Sequence, residues 1–141
     1  MKIIVGVDGS VSAARAVDWC VSYAPPLTAE VIAVFSIEIP AFAASSFGAV
    51  PVPPPYEPDH DQVRKVVETE WCAPLSQAKI PFRVVLTDGP AASAIISLAE
   101  HEAADLVVVG RRGRGGFAEL LLGSTSHQLS HHLDRPLVIV P

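Results

Sequence analysis

The residues best suited to chemistry lie in Val109-Gly110-Arg111-Arg112-Gly113-Arg114-Gly115-Gly116, which leaves a predicted strand and runs on to Leu122-Gly123-Ser124-Thr125-Ser126, where a predicted helix begins. Glycine lets the backbone turn tightly and approach a ligand with no Cβ in the way. Consecutive backbone N–H groups can then point at one anion. A helix starting at Ser124 adds unpaired N–H groups and the positive end of its dipole. The hydroxyls of Ser124, Thr125 and Ser126 are further donors, and Arg111, Arg112 and Arg114 add positive charge. Together these suit a nucleoside polyphosphate. The competing reading is a flexible glycine loop followed by a Ser or Thr that caps a helix.

Other constellations are weaker. No Gly-Lys-Ser or Gly-Lys-Thr follows the glycines, so this is not a Walker A loop, and the first strand carries no G-x-G-x-x-G dinucleotide fingerprint. Phosphoryl transfer needs a positioned nucleophile and charge neutralisation. Neither a Walker B acid nor a catalytic-loop Asp–Asn pair is evident, so binding with slow or absent hydrolysis is expected, with no catalytic residue assigned. His127 and His131 are four apart on the last predicted helix, with His132 next. That spacing can place two imidazoles on one metal. Without a Glu after His127 or a third ligand, the sequence favours a solvated or interfacial helix face. No metal ligand is assigned.

These residues must be held by elements, and five apolar runs read as strands: Lys2–Val7, Glu30–Glu38, Phe82–Thr87, Asp105–Val109 and Leu137–Val140. Near-continuous Val and Ile fit strands covered on both faces, as in a parallel sheet. Between them, apolar residues recur at helical spacing in Ser12–Ala24, Asp59–Lys79, Ala91–Ala103 and Ser124–Leu133, with a short turn expected over Phe117–Leu122. Pro74 should kink or divide the second of these. Strand–helix alternation predicts an α/β sandwich around a parallel sheet. Ile39–Pro58 breaks the rhythm, with six of the 13 prolines. It is a loop, read either as a lid or binding loop or as a surface insertion.

Composition sets outer bounds. A chain of 141 residues suits one domain, 1–141, and 50% hydrophobic with 18% charged residues argues for a substantial core. No apolar run approaches the roughly 18 residues of a membrane span. Ten Lys and Arg against 15 Asp and Glu give a net charge of −5, which disfavours nonspecific nucleic-acid binding. Cys20 and Cys72 fit free buried thiols in a reducing compartment. A cytoplasmic protein is expected.

The sequence also resembles the universal stress protein family. Gly110, Gly113, Gly123 and Ser124 match the G-x2-G-x9-G-[ST] pattern of its nucleotide-binding subgroup. Ile3-Ile4-Val5-Gly6-Val7-Asp8-Gly9-Ser10 resembles its first strand and turn. Asp88-Gly89-Pro90-Ala91, Ala104–Gly110 and Arg135–Val140 fit later landmarks in order. The resemblance implies a Rossmann-like, five-stranded sheet of order 3-2-1-4-5, and ATP as ligand; a divalent ion such as Mg²⁺ could bridge its phosphates, mostly through water. It implies that Gly6, Val7 and Asp8 lie near adenine and ribose, with Asp8 accepting from sugar hydroxyls. Val109 and Gly110 would continue the adenosine site, and Arg112, Gly113, Gly123, Ser124, Thr125 and Ser126 would surround the phosphates. At the end of the second strand, Phe35-Ser36 stands where His-Val is common, so Ser36 replaces an apolar base contact. A homodimer through Leu137, Val138, Ile139 and Val140 is also implied. The expected role is a nucleotide sensor or buffer in a stress response. The alternatives are a nucleotide-free dimeric interaction module, a slow ATP hydrolase or phosphotransferase, and a cyclic AMP binder.

Overall fold

Val and Ile dominate the first strand, β1 (Lys2–Gly6), because both its faces are covered: Ile3, Ile4 and Val5 are all fully buried. Burying each such side chain contributes roughly 1.5–3 kcal/mol. The computed structural model describes residues 1–38, 58–114 and 121–141. Within them, β1 is joined by β2 (Glu30–Ile37), β3 (Phe82–Asp88), β4 (Leu106–Gly110) and β5 (Leu137–Val140) in one sheet. All neighbouring pairs are parallel, as the apolar runs predict, and the spatial order is β3-β2-β1-β4-β5, as the family resemblance implies. Register is tight at the centre, with Ile4 opposite Ile32 on one side and Val107 on the other.

Strand alternation divides the core into two layers. Ile3, Val5, Val31, Ala33 and Val108 pack with Ala16, Val17 and Cys20 of α1 (Val11–Tyr23). Ile4, Ile32, Val107 and Val109 pack instead with Ala92, Ile95 and Ala99 of α4 (Ala91–His101) and Leu129 of α5 (Ser124–His132). Helices that follow neighbouring strands β1 and β4 thus cover opposite faces. The crevice beyond the carboxyl ends of those strands is where open α/β sheets bind ligands.

The helix expected over Asp59–Lys79 is divided more finely than Pro74 alone requires. It consists of α2 (His60–Val66), a π-helical stretch (Val67–Trp71) and α3 (Ala73–Gln77). The Cys72 N–H donates to the Val67 carbonyl at 2.9 Å, the wider bond that marks the π turn. Pro74 lies in the first turn of α3, where a missing N–H costs nothing. It starts a helix here instead of kinking one. Cys20 and Cys72 are free and buried, and burial pushes both thiols up to about 12. Most of the proline-rich segment Ile39–Pro58, the turn expected over Phe117–Leu122 as far as residue 120, and Gly115 and Gly116 lie outside the described residues.

Candidate nucleotide site

The turn after β1 and the loop after β4 are sewn together by short polar side chains. Asp8 Oδ1 accepts from the Ser10 N–H at 2.9 Å, and Oδ2 accepts from the Arg114 N–H at 3.2 Å. Ser10 caps α1 by accepting from the Ala13 N–H at 3.1 Å, and its hydroxyl donates to the Arg112 carbonyl at 3.4 Å. Ser12 Oγ accepts from the Arg112 N–H and donates to the Val140 carbonyl, both at 3.3 Å. Gly110 is pressed against this lacing: a Cβ there would fall 2.5 Å from the Ser12 carbonyl carbon. A Cβ on Gly113 would fall 2.6 Å from Asp8 Oδ2. Both glycines are therefore needed for close approach, not for flexibility.

The far end of the loop returns to the same place. The Gly123 N–H donates to the Arg111 carbonyl at 2.8 Å. The Ser126 hydroxyl sits between the Arg111 and Gly123 carbonyls, at 2.8 and 3.1 Å. Ser126 is 2% exposed, and its hydroxyl fastens loop to helix. Its contribution to a ligand is thereby left to the backbone amide. The N-cap of α5 is Gly123, which has no side chain with which to cap. By contrast, α1 is capped by Ser10 and α2 by Asp59. The first turn of α5 thus presents open N–H groups and the positive end of the helix dipole.

These segments frame a cleft of about 630 Å³ at the carboxyl ends of the strands. All twelve residues expected at the site line it: Gly6, Val7, Asp8, Ser36, Val109, Gly110, Arg112, Gly113, Gly123, Ser124, Thr125 and Ser126. Arg111 and Arg114 from the basic cluster line it too. The Arg111 Nε is buried with no acceptor among the described residues, a donor of the kind that a bound anion satisfies. Arg114 reaches across to lie 4.9 Å over the Trp71 ring. Val7, Val34, Ile95 and Val109 supply an apolar wall. The cleft therefore has a greasy side suited to a flat base and a donor-rich side suited to an anion.

Sequence reasoning missed Ala13, Val34, Glu38, Ala91 and Ile95 as lining residues. The available signal was topological, since the helix after β3 must start at the same end of a parallel sheet as the loop after β4. Its first N–H is occupied: Glu38 Oε1 accepts from the Ala91 N–H at 3.3 Å. Ser36 lines the cleft, and its hydroxyl donates to the Gly89 carbonyl at 2.6 Å.

A family model described as the universal stress protein family matches residues 1–141. The chain belongs to that family. Among curated relatives, universal stress protein YxiE of Bacillus subtilis (strain 168) is 32% identical over 149 residues, spanning 99% of this chain and 97% of the relative. Among solved structures, a universal stress protein in complex with cAMP is 25% identical, with a TM-score of 0.72, covering 99% of this chain and 95% of its own. The universal stress protein from Archaeoglobus fulgidus in complex with dAMP is similar in fold at 18% identity, with a TM-score of 0.70 and coverage of 100% and 98%. Among the described residues of this universal stress protein, no helix is long and apolar enough to cross a membrane.

Proposed function

We propose that this universal stress protein is an ATP-binding nucleotide sensor or buffer, a single cytoplasmic domain acting as a homodimer with slow or no hydrolysis. The observation that supports this most is the convergence on one cleft of the Gly110–Arg114 loop, the uncapped N-terminus at Ser124 and the Asp8 carboxylate. In this reading Val7, Val34 and Val109 contact adenine, and Asp8 accepts from ribose hydroxyls with the lone pairs that Ser10 and Arg114 leave free. Arg111, Arg112, Gly113 and the amides of Ser124, Thr125 and Ser126 hold the phosphates. Among the described residues no group of three or more His, Cys, Asp or Glu could hold a metal. Mg²⁺ would therefore ride on the phosphates and meet the protein mostly through water.

The test is mass spectrometry of ligand released from freshly purified protein, followed by calorimetry with ATP and Mg²⁺, AMP and cyclic AMP. ATP should bind most tightly. Asp8→Ala should weaken it by about 10- to 100-fold, the equivalent of a hydrogen bond to a charged group. Failure of all three nucleotides to bind would leave the nucleotide-free module. The cAMP complex of the 25%-identical relative supports a second reading, in which a monophosphate is the physiological ligand. Tighter binding of cyclic AMP than of ATP would select it. Phosphate release that falls in Asp8→Ala would favour a hydrolase.

A further inference from the structure

We propose that α5 carries a second ligand site, a two-point site for a late first-row divalent transition ion, formed by His127 and His131. Both side chains are exposed, on the side of α5 away from Ser126 and Leu129, its buried residues. Their rings lie side by side, with centroids 4.7 Å apart and planes inclined by 67°. A zinc-bound imidazole nitrogen sits about 2.0–2.1 Å from the ion, so two rings on adjacent positions of one ion have centroids roughly 4.5–5 Å apart. The helix thus sets a ring spacing within chelating range, and rotation about the exposed side-chain torsions brings one nitrogen of each ring to the ion. No carboxylate forms an ion pair with either ring among the described residues. His131 also lies in the last turn of α5, where the helix dipole favours a cation.

The donor set limits the ion. Neutral imidazoles suit Cu²⁺, Ni²⁺ and Zn²⁺ rather than Mg²⁺ or Ca²⁺, with Cu²⁺ bound most strongly. No third His, Cys, Asp or Glu joins the pair among the described residues, so the remaining coordination positions stay open to water or a small ligand. His132 is poorly placed to join. Its ring is 6.3 Å from that of His131, and its neighbouring position on the helix turns it to another side. The pair runs from the first turn of α5 to its last, on the exposed side of the helix; neither histidine lines the cleft, and the site does not depend on the nucleotide reading.

Cu²⁺ titrated into the full chain against a weak competing chelator tests the assignment, read by calorimetry and by nitrogen splitting in the electron paramagnetic resonance spectrum. One ion per chain should bind, with two nitrogens in the spectrum. His127→Gln and His131→Gln should each weaken binding by at least about tenfold, as loss of one arm of a chelate does. His132→Gln should leave it within about twofold, because that ring lies outside the pair. Circular dichroism would verify that these surface variants keep their helix. Binding that survives the His127→Gln/His131→Gln double variant would overturn the site. So would an equal loss in His132→Gln, or half an ion per chain, which would place the metal between two copies.

Discussion

Gly110 and Gly113 lie three residues apart in the same motif, yet a methyl group would strike different things at each. At Gly110 it meets the backbone of α1, at the Ser12 carbonyl carbon and oxygen, 2.5 and 2.7 Å away. Backbone in a packed helix cannot step aside, so Gly110→Ala should destabilise the fold by about 1–3 kcal/mol, the usual cost of overpacking. At Gly113 the methyl meets Asp8 Oδ2, the tip of a side chain that can rotate away at the cost of its bond to the Arg114 N–H. Gly113→Ala should therefore lose only about 1 kcal/mol of stability. It should weaken ATP binding in calorimetry more than Gly110→Ala does once both are compared well below their melting temperatures. Urea unfolding supplies the stability values. An equal loss of stability in the two variants would contradict this account. Sequence spacing made both glycines visible, because the motif fixes which positions lack a Cβ. It could not separate their roles, which depend on Ser12 and Asp8, about 100 residues away along the chain. The Ser126 hydroxyl was illegible for the same reason. Its residue type suits a phosphate donor, but its acceptors are two carbonyls brought together by the closed loop.

At the scale of elements, strands and amphipathic helices were legible because each states its own burial in a local pattern. The π-helical stretch was not: Val67, Cys72 and Leu75 are buried in one core cluster across it, and no local pattern marks the change of helix type. That stretch ends at Trp71, which meets Phe35 of β2 edge-on at 5.1 Å and lies under Arg114 at 4.9 Å. The contact couples the glycine loop to the helical layer on the α1 face of the sheet. A phosphate that draws the Arg114 guanidinium toward the cleft would remove a cation from the indole, an interaction worth about 0.5–1 kcal/mol at an exposed site. The expected outcome is a change in Trp71 fluorescence on adding ATP and Mg²⁺. Trp19, stacked on Tyr23 at 4.5 Å, supplies a background that Trp19→Phe removes. In a Trp19→Phe/Arg114→Ala protein the nucleotide response should vanish even at saturating ligand. A full response there would mean that the signal does not come from the Arg114–Trp71 contact.

For the whole molecule, the open question is the edge of the sheet. In the strand order, β5 is terminal, and its four residues Leu137, Val138, Ile139 and Val140 are all apolar and only half-buried. The Val107 N–H donates to the Pro136 carbonyl and the Arg111 N–H to the Val140 carbonyl. By the alternation of a parallel ladder, Val138 and Val140 bond inward to β4, while the backbone groups of Leu137 and Ile139 point outward. Nothing on β5 discourages pairing, since it carries no charge, bulge or internal proline. Antiparallel pairing of two copies of β5 about a two-fold axis would satisfy those groups. A four-residue ribbon alone falls short of the about 1,200 Å² of a stable interface, so neighbouring surface must join it or the dimer will dissociate on dilution. Light scattering across a dilution series should therefore give twice the chain mass at high concentration. Ile139→Pro removes an outward N–H without touching a bond to β4, a substitution that edge strands tolerate. It should yield a folded monomer, whereas Ile139→Val should remain dimeric. If the proline variant keeps the dimer mass, the contact lies elsewhere on the molecule and the β5 edge is covered by something other than its own copy.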